Sequence, residues 1–257
     1  MVKGKSAKKT AILTTVLVVI AVLLILYLFC TLIVFPGYRK YKILHHDYDV
    51  YGGLTDELKD SELFDDMQSG KSFCFLGDSI TDGGATEHTP WYKPLERYIK
   101  GSISNVSATG WTVLDLIDVK ESIPNADVYV IAIGVNDIIR FGNFAPASTD
   151  FTDRCDQLAS LLKQSAPNAK ICFIAPWAIY GLEDEVLSRG DQFRKELGLW
   201  CKNTDYIFID PEPVIQSRFA EEGVKKFMYN GTHPDAPEGV ELFSYAVLKA
   251  SHDARNT

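Results

Sequence analysis

"FCFLGDSITDGG", residues 73–84, passes from an apolar run into small polar residues at Gly77. Residues 73–76 read as a short buried strand and residues 77–84 as a loop. A serine where a buried strand ends stands at the ligand crevice of a parallel sheet. Ser79 is therefore a candidate nucleophile. Capping the next helix is its ordinary alternative, and the same holds for Asp78.

Further strand-like runs follow at 102–106, 128–133, 170–175 and 206–209, the first being 72–76. Helical patterns lie between and after them at 91–99, 112–120, 151–164, 185–200 and 237–250. This alternation predicts an α/β domain with a parallel sheet and helices on both faces. In such a sheet the strand ends share one crevice. Ser79 follows the first strand, Gly110 the second, and Asn136 and Asp137 the third. His233 follows the fifth. The turn after the fourth, "APWAIYG", offers Trp177 and Tyr180 as walls.

Upstream the chain changes character. Residues 1–10 form a basic tip with four lysines and no acid, and residues 11–35 are an uncharged apolar run of 25 residues. As a helix this run reaches about 37 Å, more than the roughly 30 Å hydrocarbon core of a bilayer. A cleaved signal peptide is the alternative, but its apolar region is usually shorter and no A-x-A-like site follows. The expectation is a single transmembrane anchor over 11–35, a juxtamembrane segment over 36–69 and a catalytic domain over 70–257. Within the juxtamembrane segment "LTDELKDSELFDDM" reads as a short amphipathic helix. Basic residues flank both ends of the anchor, and the balance favours a cytoplasmic N-terminus with the large domain outside.

Residues 1–42 carry seven basic residues and no acid; with −8 for the whole chain, the rest holds −15. A domain that acidic repels phosphate, which argues against nucleic acid as a partner. Five cysteines show no CxxC or other metal-ligand spacing and read as structural thiols.

Acyl transfer needs a nucleophile, a base within hydrogen-bond reach, and donors aimed at the developing oxyanion. Ser79 and His233 supply the first two. The N–H groups of Ser79 and Gly110 and the side-chain amide of Asn136 supply three donors. His88 is a weaker candidate base, and His45 and His46 have no partner motif. Trp91 and Trp111 read as core aromatics or as crevice walls, as do Trp177 and Tyr180.

"GDSI" at 77–80, Gly110, "GVND" at 134–137 and "THP" at 232–234 together resemble the sequence blocks of the SGNH hydrolases, the GDSL-type esterases and lipases, over roughly residues 70–250. The resemblance implies a three-layer α/β/α flavodoxin-like fold, Ser79 as nucleophile, His233 as base, and Ser79, Gly110 and Asn136 as the oxyanion hole. It implies no cofactor and no metal. One position departs from the pattern. Where the family places an aspartate three residues before the histidine, this chain has Asn230. That leaves Asn230 as the candidate third member of the catalytic set. Asn230-Gly231-Thr232 also spells a glycosylation sequon, which we read as coincidence because a glycan there would obstruct the crevice. Asp78, Asp137, Trp177 and Tyr180 are the candidate substrate contacts. The expected activity is a membrane-held serine esterase that removes small acyl groups, acetyl above all, from carbohydrate or envelope-polymer esters. An O-acyltransferase using the same serine, or a catalytically weak carbohydrate-binding descendant, are the alternatives.

Overall fold

The computed structural model describes residues 3–140 and 148–255. Residues 1–2 of the basic tip and 256–257 at the end of the chain lie outside them. The chain divides into two compact units, residues 1–46 and 47–257.

In the first unit α1 (Lys3–Phe29) runs into a π-helical turn (Cys30–Val34) and then α2 (Phe35–Leu44). Leucine, isoleucine and valine dominate α1 between residues 11 and 29, and from Val16 to Phe35 the large apolar side chains are exposed. The continuous stretch Thr14–Leu44 is the one helix among the described residues long and apolar enough to cross a membrane.

The second unit is an α/β domain. It opens with α3 (Asp56–Lys59) and α4 (Glu62–Gln68), each started by a side-chain cap: Thr55 Oγ1 accepts from Leu58 N, and Ser61 Oγ accepts from Phe64 N. The expected single amphipathic helix is thus two short ones, because the Ser61 cap restarts the backbone. Their apolar residues Leu58, Leu63 and Met67 join the domain core.

Five strands form the sheet: β1 (Phe73–Gly77), β2 (Ile103–Ser107), β3 (Val128–Ala132), β4 (Lys170–Ile174) and β5 (Ile207–Ile209). Their order is β2-β1-β3-β4-β5 and every pairing is parallel. This is the flavodoxin-like order, with its switch point between β1 and β3. β1 and β3 are buried along their whole length, which is why they read as unbroken apolar runs, whereas edge strand β2 is mostly half-exposed.

The helices that follow the strands are α5 (Ser79–Asp82), α6 (Val113–Asp118), α7 (Val135–Ile139), α8 (Ser148–Ser165), α9 (Asp184–Lys202), α10 (Glu212–Glu222) and α11 (Glu238–Arg255). The helix expected over 91–99 is a 3-10 segment, Lys93–Tyr98, with Pro94 in its first turn. α10 is not among the expected helices: Pro211 caps it and Pro213 lies in its first turn, where proline costs no hydrogen bond.

Candidate active site

The crevice is built where β1, β2 and β3 end. Asp78 caps α5 by accepting the Ile80 N–H on Oδ1 at 3.0 Å, which places Ser79 at the first helical position. The turn is held from two sides. Asn105 Nδ2 donates to Thr81 O at 3.1 Å, and the buried Trp91 Nε1 donates to Thr81 Oγ1 at 3.2 Å. Ser79 N–H, at the start of a helix, has no intrahelical acceptor and is free to meet an anion.

After β2 the chain turns at Gly110, whose φ of +84° is strained for any residue with a side chain. Its open face lies against Arg140: a Cβ on Gly110 would stand 3.2 Å from Arg140 Nη2. Asn136, in α7 after β3, donates from Nδ2 to Trp111 O at 2.9 Å. One amide hydrogen of Asn136 thus ties the third strand's loop to the second's, and the other remains for a ligand.

The histidine arrives on a tight loop. Met228 and Pro234 form an antiparallel bridge, and Tyr229 N donates to His233 O at 3.0 Å. Gly231 packs against the turn after β4: its carbonyl accepts from Tyr180 N at 2.6 Å, and a Cβ there would come within 2.1 Å of Tyr180 O. Glycine is required at 231 by this approach.

These supports bring Ser79 Oγ to 2.8 Å from His233 Nε2. On the ring's other side Asn230 Oδ1 lies 3.2 Å from His233 Nδ1 and also accepts the backbone N–H groups of Thr232 and His233, each at 2.8 Å. Two backbone donors fix the Asn230 amide with its oxygen toward the loop, so the ring nitrogen facing it is the one that donates. Nδ1 carries the proton and Nε2 is left to accept from the serine hydroxyl. Partial burial holds the His233 pKa below its ordinary value, which keeps the ring neutral near pH 7.

The two aspartates of the motifs are sealed. Asp78 and Asp137 are both fully buried. Asp137 Oδ2 accepts the Val113 N–H at 3.3 Å, while Asp78 Oδ2 and Asp137 Oδ1 have no partner among the described residues. Burial pushes Asp78 up to about 7, with the Asp137 charge adding to the rise, and pushes Asp137 up to about 6.

The structure therefore joins Ser79, His233 and Asn230 by hydrogen bonds and sets Gly110 and Asn136 after the neighbouring strands, and of the expected substrate contacts it seals Asp78, Asp137 and Trp177 in the interior. Asp78, Asp137 and Trp177 present no surface to a substrate. Trp177 instead packs on Trp91 and Phe243 in the core. Tyr180 is half-buried against Phe219 and donates its hydroxyl to Glu212. His88 is exposed beside Asp82, 3.7 Å away, and Ser79 has bonded to the other histidine. Gly84 and Thr109 flank the serine unforeseen: a Cβ on Gly84 would lie 3.8 Å from Ser79 Cβ and 2.6 Å from Thr109 Oγ1. Arg140 is also unforeseen, although its spacing of four from Asn136 puts both on one helical face.

The sequence pattern of the GDSL-like lipase/acylhydrolase family matches residues 75–237, a span that contains every member of this constellation. The chain belongs to that family. It is an ester hydrolase with a GDSL fold. Solved structures similar to this GDSL hydrolase include a GDSL-like lipase from Parabacteroides merdae, at 21% identity and a TM-score of 0.63, covering 72% of this chain and 97% of that one. The acetylxylan esterase Axe2 from Geobacillus stearothermophilus matches at 20% identity and a TM-score of 0.60, covering 72% and 96%. An α/β hydrolase from the metagenome of Lake Arreo, Spain, matches at 18% and 0.59, covering 71% and 95%. At such identities these likenesses speak for the fold. No curated protein sequence matches the chain.

Proposed function

We propose that this GDSL hydrolase is a membrane-anchored serine esterase that removes small acyl groups, acetyl above all, from carbohydrate esters. The observation that carries the reading is the 2.8 Å contact of Ser79 Oγ with His233 Nε2, and the N–H groups of Ser79 and Gly110 with the side-chain amide of Asn136 are the proposed oxyanion donors. Ser79 Oγ attacks the ester carbonyl as its proton passes to His233 Nε2, and the carbonyl oxygen becomes an oxyanion held by the three donors. Collapse of the intermediate expels the alkoxide, which takes the proton from His233. Water, deprotonated by the same ring, then releases the acid and restores the hydroxyl.

The carbohydrate substrate is supported by the fold's likeness to an acetylxylan esterase, and the negative charge of −15 outside residues 1–42 disfavours strongly anionic polymers. The apolar helix Thr14–Leu44 would hold the domain at a membrane, with the basic tip inside and the catalytic domain outside.

Two measurements test this. Full-length protein in detergent should be labelled at Ser79 by a fluorophosphonate and should release acetate from p-nitrophenyl acetate and from acetylated xylo-oligosaccharides. Labelling without net hydrolysis, but with acyl transfer to an added sugar, would favour the O-acyltransferase; absence of labelling would leave a binding protein. In intact cells, added protease should digest the domain, and carbonate washing should leave the chain in the membrane. A protected domain would reverse the orientation.

A further inference from the structure

The proposed oxyanion site sits in an acidic domain, and the guanidinium of Arg140 lies close to Gly110. Arg140 follows α7, and its N–H donates to Asn136 O at 3.0 Å, so the two side chains leave the same face of one turn. Arg140 Nη2 is the sole described atom within 4 Å of the point where a Cβ on Gly110 would stand. About 2.5 Å separates a residue's amide nitrogen from its Cβ, which puts this guanidinium nitrogen within about 6 Å of the Gly110 N–H. Arg97, Arg189, Arg194, Arg218 and Arg255 each pair with a carboxylate. Arg140 has no carboxylate within ion-pair distance among the described residues, so its charge is not neutralised locally.

We propose that Arg140 stabilises the oxyanion of the acyl-transfer step through space, as the positive charge that offsets the domain's negative field at Gly110. This rests on the reading of Ser79, Gly110 and Asn136 as the oxyanion donors. A bare charge needs no contact with the substrate and no particular hydrogen-bond geometry. It raises kcat without changing KM, because the charge it opposes exists only in the transition state. Arg140 is exposed, so water and salt screen it and the effect is modest.

The test is a charge series at one position, Arg140→Lys, Arg140→Gln and Arg140→Glu, in the full chain with uncharged p-nitrophenyl acetate. At about 10 mM salt, kcat for Arg140→Gln should fall about three- to tenfold below wild type, and for Arg140→Glu by a similar further factor. Arg140→Lys should keep at least half of wild-type kcat, with KM within twofold throughout. At about 0.5 M NaCl the steps should shrink toward unity, since the Debye length is then only about 4 Å. A flat series at low salt overturns the proposal. So does an Arg140→Lys loss as large as that of Arg140→Gln, which would mark a contact made by the guanidinium's shape. Ser79→Ala, run alongside, separates the two readings. If it is inactive while the series is flat, the oxyanion reading stands and the role of Arg140 falls. If it retains activity, the serine mechanism itself fails.

Discussion

Ser79 Oγ lies 2.8 Å from His233 Nε2 although 154 positions separate the two residues. The contact joins the first strand's end to the loop that precedes the last helix. Nothing local holds it: the serine is fixed by the Asp78 cap and the ties to Thr81, and the histidine by Asn230 and the Gly231–Tyr180 contact. A pair so placed by independent supports should act as a unit.

Ser79→Ala and His233→Ala should each lower kcat by roughly 10³- to 10⁶-fold, and the double variant should be no slower than the worse single one. Neither change should move the melting temperature by more than a few degrees. Steady-state kinetics on p-nitrophenyl acetate with thermal melts checks both. Turnover by Ser79→Ala within tenfold of wild type would remove the serine from its assigned role.

The buried aspartates give a stability prediction. The folded pKa of Asp78, about 7, stands above the unfolded value of about 3.9. Its contribution to stability is therefore fully present below about pH 4 and is lost as pH rises through about 7. Asp78→Asn keeps an acceptor for the Ile80 N–H and removes the charge. At pH 8 it should be more stable than wild type by on the order of 4 kcal/mol, and at about pH 3.5 the two should nearly coincide. Melting curves at both pH values decide it. An equal difference at both would mean that ionisation is not the cause.

How far the sequence carries can be seen at particular residues. β1 and β3 are readable because both are sealed: four apolar residues, 73–76, end at Gly77 in β1, and the five of β3 are followed two positions on by Gly134. Ser79, Gly110, Asn136 and His233 are readable because each follows a different strand of a parallel sheet. α10 is hidden because Pro211 and Pro213 read as breakers, although proline suits a helix start. Trp177 is misplaced as a wall because a turn sequence does not say which side chain points inward. The core partners that take it in, Trp91 and Phe243, lie far away along the chain. The approach of Arg140 to Gly110 depends on how two loops meet, which no local pattern records.

Asn136 offers a sharper test of the oxyanion reading. Its Nδ2 already binds Trp111 O, so only one amide hydrogen is left for the reaction. Asn136→Ala should lower kcat roughly 10²- to 10³-fold with a smaller change in KM, because the donor meets the oxyanion more strongly than the ground-state carbonyl. A loss confined to KM would make Asn136 a substrate-binding residue.

Asn230 occupies the position of the triad carboxylate. Its Oδ1 receives three donors, and the ring Nδ1 is the most distant of them at 3.2 Å. Such an oxygen orients the imidazole and sets its tautomer, but it brings no negative charge to steady the imidazolium that forms as Ser79 attacks. Asn230→Asp should keep the two backbone bonds, since a carboxylate oxygen accepts them equally well, and should add that charge. Two effects follow. The kcat at pH 8 should rise, and the pKa of His233, held low by burial, should rise with it because a neighbouring anion favours the charged ring. Activity requires the neutral ring, so the acid limb of the pH–rate profile should move to higher pH in the variant. The gain at pH 8 should therefore shrink or reverse near pH 5.5. Asn230→Ala removes the acceptor of two loop amides as well as the ring's partner, and should cost about 1–3 kcal/mol of stability while lowering kcat far less than His233→Ala. A pH–rate profile of the three proteins settles the matter. If folded Asn230→Asp shows a lower kcat at pH 8, another group already fills the acid's place and Asn230 serves only to shape the loop.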